Sequence, residues 1–260
     1  MNTLRLIVPV ALGIAVIVAW EFLVRHFGVP KFVLPAPSLI AADFVQEFPK
    51  LMAATWTTLR IVALAFALAL VSGVAGAVLF SQSRIAELAF YPYAVILQVT
   101  PVVAIAPLIV LWVGYDHVER ALLILAWIVA FFPILSGTTL GLKSADFNLI
   151  DLFRLYGASR WQILWRLRLP TALPYLLNAM KISGGLSLIG VIVAEFAAGT
   201  GSDTGLGWTI IESGNRLHIA TMFAALAILS VLGIAIFFLL TGLEWLLLHR
   251  WHESAVTRER

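Results

Sequence analysis

The residues of this chain that could carry out chemistry are few, and they form no catalytic pattern. The run 137–144 superficially resembles a phosphate-binding loop, but it lacks the adjacent glycine and lysine that such a loop requires. Gly137 and Gly141 in that run better fit a contact between two helices through small residues. The five histidines are scattered and the chain has no cysteine, so we expect neither a catalytic site nor a metal site.

A few polar residues lie inside apolar stretches, where they could line a path for a solute. Glu195 is acidic, and a carboxylate within a membrane usually faces a cavity or a partner; the alternatives are a structural hydrogen bond or a position at the outer interface. Gln98 and Thr100 stand beside a proline, which frees backbone carbonyls nearby. Ser183 and Ser187 are further candidates, although small polar residues in such stretches often serve helix packing.

The polar segment 143–173 predicts two short amphipathic helices joined at a glycine. In the first helix, Asp151 and Arg154 are spaced to pair with each other. Gly157 follows where a helix end favours a left-handed backbone. The spacing also places four apolar residues on one face of this helix, namely Leu149, Leu152, Phe153 and Tyr156.

The second helix of this segment has its own start signal. Ser159 and Gln162 fit a capping box, in which each side chain accepts a hydrogen bond from a backbone amide of the other residue. Pro170 and Pro174 are expected to interrupt or restart the helix before the next apolar run. One face of this second helix would carry Trp161, Leu164, Trp165 and Arg168. The two helices could lie flat among lipid headgroups or bind a cytoplasmic protein, and the residues alone leave both possibilities open.

The elements that must position these residues are membrane-spanning helices. The chain is 62% hydrophobic and only 12% charged, whereas about a quarter of the residues of a soluble domain are charged. The apolar runs are continuous rather than alternating, which favours helices over the strands of a transmembrane barrel. Six runs approach the length that a helix needs to cross a bilayer. They are 6–24, 61–83, a stretch within 88–115, 121–142, 174–198 and 217–243.

Lysine and arginine are more numerous in the loops that would lie inside if both termini are cytoplasmic, so we predict that orientation. We place Lys181 in this inside set. The first apolar run has no small-residue cleavage site after it, and we interpret it as an uncleaved span. The glycines of 199–207 predict an irregular turn outside the membrane.

The segment 151–170 resembles the signature loop of permease subunits of ABC importers, whose pattern is Glu-Ala-Ala, three residues, Gly, nine residues and Ile-x-Leu-Pro. Gly157 and Leu169-Pro170 stand at the family spacing, while Asp151, Leu152-Phe153 and Leu167 depart from it. Further matches to the nitrate, sulfonate, taurine and bicarbonate branch follow in order along the chain. They are Leu34-Pro35-Ala36-Pro37-Ser38, Thr100-Pro101-Val102-Val103-Ala104 with Pro107-Leu108, Phe131-Phe132-Pro133-Ile134, and Ala194-Glu195 before Gly205-Leu206-Gly207.

The resemblance implies an all-α, six-span type I importer permease fold with both termini inside. The chain would be a single permease domain, 1–260, with core spans in 61–243 and a coupling loop at 143–173. It would form the pathway in the inner membrane, as a homodimer, for a solute delivered by a periplasmic or lipid-anchored binding protein. Two cytoplasmic ATPase subunits would bind ATP and Mg²⁺; this chain would bind no cofactor and no nucleic acid, and would not itself be an enzyme.

The same resemblance implies a role for six residues of the loop in coupling to the ATPase: Asp151, Arg154, Gly157, Ala158, Ser159 and Arg160. The alternative function is a permease-like scaffold or sensor that binds a cytoplasmic partner without transport. The runs 111–115 and 152–165 are closest to permeases for pyrimidine vitamin precursors and riboflavin, with sulfonate, taurine, nitrate or bicarbonate as the other substrates.

Overall fold

The computed structural model describes residues 2–198 and 205–249, with the side chains of 7–197 and 205–249, and every regular element in them is helical. A short 3₁₀ turn at Tyr115–His117 and a π-helical turn at Leu164–Arg168 connect the longer elements. The helices are α1 (Asn2–His26), α2 (Pro37–Gln46), α3 (Phe48–Gln82), α4 (Arg84–Val99), α5 (Val102–Val113), α6 (Val118–Lys143), α7 (Phe147–Leu155), α8 (Arg160–Ile163), α9 (Leu169–Ala198), α10 (Leu206–Asn215) and α11 (Ile219–Leu248).

Five helical segments are long and apolar enough to cross a membrane, and α4 with α5 makes a sixth if this bent pair is one span. Their positions agree with the six apolar runs. The helix that contains the second run is longer than predicted, because α3 begins at Phe48 rather than at residue 61. Leu51 and Ala54 are buried, and this packing extends the helix through residues that hydropathy alone assigned to a loop.

The third span is broken at Thr100. The axes of α4 and α5 meet at 102°. Thr100 has an extended backbone (ψ 125°), which is the conformation that a following proline imposes. Pro101 then caps α5 and has no amide hydrogen that could continue α4. The third apolar run contains Pro92, Pro101 and Pro107, and the structure places the bend at Pro101.

The described residues of 1–57 and 202–230 form one compact unit. In it, Lys50 pairs with Glu212 at 3.1 Å, and the hydroxyl of Thr221 donates to the carboxylate of Asp43 at 2.5 Å. Helix α10 belongs to this unit and was not predicted. Gly205 caps it and Gly207 lies within it, so this part of the predicted glycine turn is helical; residues 199–204 lie outside the described residues.

The described residues of 58–201 and 231–260 form the second unit, whose centre is the contact of α6 with α9. The contact is close because glycines face it, as the small-residue pattern predicted. A Cβ at Gly137 would lie 2.7 Å from the Cβ of Ala179, and one at Gly141 would lie 2.9 Å from the Cα of Ala172. Large side chains fill the remaining interior, among them Leu125, Ile134, Leu135, Leu142, Leu164 and Val191.

Candidate coupling loop and pathway residues

Helix α7 ends as the sequence predicted, in a left-handed glycine. Gly157 has φ +70°, the amide of Gly157 donates to the carbonyl of Arg154 at 2.9 Å, and the amide of Ala158 donates to the carbonyl of Phe153 at 3.0 Å. This pair of hydrogen bonds is the Schellman arrangement, which satisfies the last carbonyls of a helix and reverses the chain. The predicted pair of Asp151 and Arg154 is formed, with 3.1 Å between carboxylate and guanidinium.

Helix α8 begins with the predicted capping box. The amide of Ser159 donates to the side-chain oxygen of Gln162 at 2.7 Å, and the amide of Gln162 donates to the hydroxyl of Ser159 at 3.3 Å. Both orphan amides at this helix start therefore have partners within the box. The box fixes the direction in which the chain leaves Gly157.

The expected interruption or restart is confirmed at Pro170, where a π turn ends the α-helical pattern and α9 begins at Leu169, and it is wrong at Pro174, which lies inside α9. The segment Arg160–Ala197 is one span-length helical stretch, in which α8, the π turn and α9 follow one another. The π turn at Leu164–Arg168 contains the residue four positions before Pro170, whose carbonyl the proline ring would otherwise strike. The second short helix is therefore the amino-terminal end of the fifth span.

The two arms of the loop, α7 and α8 with the π turn, enclose a hollow of about 360 Å³, which we call the loop hollow. Leu152, Phe153, Tyr156, Gly157, Ala158, Gln162 and Arg166 line it. Tyr156 is 85% exposed and Trp161 is 59% exposed. The predicted apolar face of the second arm is divided, because Leu164 is buried while Trp161 and Trp165 are exposed. An open surface of this kind, with exposed aromatic side chains, is suited to binding a partner.

A hydrogen bond and a set of ion pairs hold the base of the loop to neighbouring helices. Arg168 donates to the backbone carbonyl of Ser81, at the end of α3, at 3.2 Å. Glu87, in the first turn of α4, pairs with Lys143 at the end of α6 and with Arg84. These contacts connect both ends of the loop to the bundle.

The two serines proposed for the pathway are buried and hydrogen-bonded. The hydroxyl of Ser183 donates to the carbonyl of Ala130 in α6 at 2.8 Å, and that of Ser187 donates to the carbonyl of Gly184 at 2.9 Å. Both side chains are fully buried. This arrangement corresponds to the helix-packing alternative.

Glu195 is 4% exposed, and its carboxylate accepts a hydrogen bond from the hydroxyl of Thr58 at 2.9 Å, so it joins α9 to α3. Gln98 is exposed near the end of α4, and Thr100 lies at the bend and donates to the carbonyl of Ile96 at 2.7 Å. The structure does not bring the five predicted pathway residues to one surface. Within the described part of the chain, no three histidine, aspartate or glutamate side chains are grouped to hold a metal ion.

One ionic contact inside the membrane was missed. Lys181, assigned from the sequence to the inside set of basic residues, lies within the fifth span and pairs with Glu244 of α11 at 2.7 Å. Both side chains are mostly buried, at 22% and 25% exposure. The sequence could have predicted this pair, because a lysine within an apolar run requires a partner for its charge.

A family model described as "Binding-protein-dependent transport system inner membrane component" matches residues 65–247. The chain belongs to this family. It is a multi-pass inner-membrane protein, and its function is that of a permease subunit of an ABC importer rather than an enzyme.

Named relatives align with nearly the whole permease. The riboflavin transport system permease protein RibX of Chloroflexus aurantiacus is 34% identical, over 94% of this chain and 91% of its own length. The formylaminopyrimidine transport permease protein ThiX of Halalkalibacterium halodurans is 33% identical, over 92% and 94%. A methionine ABC transporter structure, MetNI in an inward-facing conformation, has the same fold, with a TM-score of 0.62, 22% identity, and coverage of 75% of this chain and 94% of its own.

Proposed function

We propose that this permease forms the translocation pathway as a homodimer, with two cytoplasmic ATPase subunits bound at the loop hollow and an external binding protein that delivers the solute. The observation that carries the proposal is the continuity of α8 with α9. A partner that moves Ser159 moves the amino-terminal end of a membrane span, and a helix transmits that motion better than a flexible loop.

The chemistry of the loop supports a protein partner over lipid headgroups. The exposed Leu155 and Tyr156 lie next to a left-handed turn that projects from the helix, and they adjoin a concave hollow rather than a flat apolar stripe. Charges surround them, with the Asp151–Arg154 pair on one arm and Arg160 at the start of the other. An aromatic centre with a charged rim is typical of protein interfaces.

The energy source belongs to the partner in this proposal. The run 137–144, which superficially resembles a phosphate-binding loop, forms the end of α6 and its C-cap Ser144, and Thr138 and Gly141 are buried there. ATP and Mg²⁺ would be held by the ATPase subunits, and this chain would bind neither. A second permease copy would supply the remaining wall of a pathway that six spans are too few to enclose.

Cysteine crosslinking tests the docking site, since the chain has no cysteine of its own. In the assembled complex, Arg160→Cys should crosslink to the ATPase subunit through a short reagent that joins the new thiol, after photoactivation, to any nearby ATPase residue. Arg216→Cys is the matched control, because Arg216 is an exposed arginine on the predicted outer side. Absence of a crosslink from both Arg160→Cys and Ala158→Cys in an intact complex would refute docking at the loop hollow. Transport by the chain without ATPase would refute the assembly.

For the substrate, we infer a pyrimidine vitamin precursor or riboflavin. The near full-length similarity to RibX and ThiX supports this class. Calorimetric titration of the cognate binding protein with riboflavin, a formylaminopyrimidine, taurine and nitrate would decide it. Binding of taurine or nitrate in preference to riboflavin and the formylaminopyrimidine would exclude the inferred class.

A further inference from the structure

A groove with both polar and apolar lining residues runs along the surface where α6 meets α9, with α11 at its edge. It measures about 600 Å³, within the range of sites that hold small organic molecules. Gly137 lies in it, where the close approach of the two helices leaves no room for a side chain. Tyr175 and Asn178 line it from α9, Ser136 from α6 and Glu244 from α11.

The groove places hydrogen-bonding side chains beside the apolar side chains of Leu140 and Ile182, whereas the exposed surface of α9 beyond it is apolar. Tyr175 and Asn178 are exposed, and neither side chain has a hydrogen-bond partner among the described residues. Ile182 is exposed in the groove as well, and farther along α9 the exposed large side chains are Ile189 and Phe196. An exposed amide without a hydrogen-bond partner costs several kcal/mol in hydrocarbon. A groove lined in this way is therefore more stable when it faces water than when it faces lipid.

The groove carries no net charge. Its one described acidic group, Glu244, is paired with Lys181 at 2.7 Å, and none of the described lining residues is a lysine or an arginine. The hydroxyls of Ser136 and Thr171 donate to carbonyls of their own helices, at 3.3 Å and 2.8 Å, and keep lone pairs that can accept from a solute. The site therefore offers amide, phenol and hydroxyl groups but no free cation.

We propose that this groove is the wall that the permease contributes to the translocation pathway, and that it passes an uncharged solute with several hydrogen-bonding groups rather than a sulfonate or an inorganic anion. The inference rests on the proposed transport function and adds the location and the charge preference of the path. An anion would need a cation or several convergent donors in exchange for its water. Here Lys181 is neutralised by Glu244, and the pair keeps the groove electrically neutral.

Single cysteines in the complex reconstituted in vesicles test whether the groove holds water. Asn178→Cys and Ser136→Cys are compared with Ile189→Cys and Val231→Cys, whose parent side chains are exposed outside the groove. With charged methanethiosulfonate reagents on both sides of the membrane, the groove cysteines should react about tenfold faster than the controls, because only a hydrated thiol ionises. Their rate should change when the ATPase is trapped with ATP and vanadate.

Two outcomes would overturn the proposal. If the groove cysteines react as slowly as the control cysteines in both the complex and the isolated chain, the groove faces lipid. Cysteines that react only in the isolated chain would mean that it is covered by the second copy. Either result leaves crosslinking from Arg160→Cys unaffected, and failure of that crosslink leaves these rates unaffected, so the two proposals fail separately.

The charge preference is tested by comparing a cationic with an anionic reagent at Asn178→Cys, each rate divided by its rate with a small thiol in water. The normalised rates should agree within about twofold in the otherwise unchanged chain. Glu244→Gln leaves Lys181 unpaired and should favour the anionic reagent roughly fivefold, while Lys181→Gln should favour the cationic one to a similar degree. The double variant Lys181→Gln/Glu244→Gln should restore equal rates. A marked anionic preference in the unchanged chain would overturn the assignment.

Discussion

The carboxylate of Glu21 caps the amino-terminal end of α2 by binding Ser38. It accepts from the amide of Ser38 at 3.0 Å and from its hydroxyl at 2.7 Å, while Arg25 pairs with the same carboxylate. Helix α2 begins at Pro37, and Ala36 before it provides no side-chain cap. A residue of α1 therefore satisfies the helix start that the Pro-Ala-Pro-Ser run creates.

Replacement of Glu21 should loosen this helix start. Glu21→Gln keeps the shape of the side chain but removes the charge that strengthens both hydrogen bonds, so the melting temperature of the purified protein should fall by a few degrees. Glu47→Gln is the control, because Glu47 makes no side-chain hydrogen bond or ion pair within the described residues. Equal melting temperatures for the two variants would show that the cap does not stabilise the fold.

Gly157→Val should uncouple the ATPase from transport while the protein still inserts. A Cβ at Gly157 would meet no atom within 4 Å, so the effect comes from backbone strain at φ +70° and not from a clash. The strain of a non-glycine residue there is about 1–2 kcal/mol and is relieved by changing the angle between the two arms of the loop. The measurement is stimulation of ATP hydrolysis by the loaded binding protein.

The control for this variant is Gly242→Val in α11, where a Cβ also meets nothing within 4 Å and the backbone is helical. Gly242→Val should retain stimulation. Normal stimulation together with normal transport in Gly157→Val would refute a coupling role for the left-handed turn.

Two glycine-to-alanine variants should change the free energy of unfolding in different ways. Alanine favours a helix by about 1 kcal/mol over glycine, so Gly185→Ala, with nothing within 4 Å of the new Cβ, should be neutral or stabilising. Gly141→Ala places a Cβ 2.9 Å from backbone atom Cα of Ala172 and should destabilise the contact of α6 with α9 by about 1–3 kcal/mol. Unfolding in detergent by increasing denaturant measures both. A Gly141→Ala variant as stable as the parent would show that the two helices separate easily.

Reporter fusions test the orientation and the bent span together. A fusion after Lys50 or after Asp116 should report the outside, and a fusion after Ser144 the inside, if α4 and α5 cross the membrane as one broken span. An outside signal after Ser144 would mean that the pair returns to the side from which it entered. An inside signal after Lys50 would reverse the orientation predicted from the basic residues.

The amino-acid sequence by itself determined the features that depend on neighbours in the chain. The six apolar runs, the left-handed position at Gly157, the capping box of Ser159 and Gln162, and the family all follow from residue type and short spacing. Each of these depends on backbone conformation or hydropathy within a turn or a run, where few competing arrangements exist.

The tertiary structure decided which helix faces pack against each other, and so which polar side chains are buried and which line the groove. Helical spacing could not tell whether Ser183 or Asn178, five residues apart, would face a neighbouring helix; contact with α6 buries the serine and leaves the amide in the groove. The pair of Lys181 and Glu244 joins residues of separate spans. Such contacts depend on how helices rotate and approach one another, and glycines such as Gly141 allow that approach only because of where the facing helix lies.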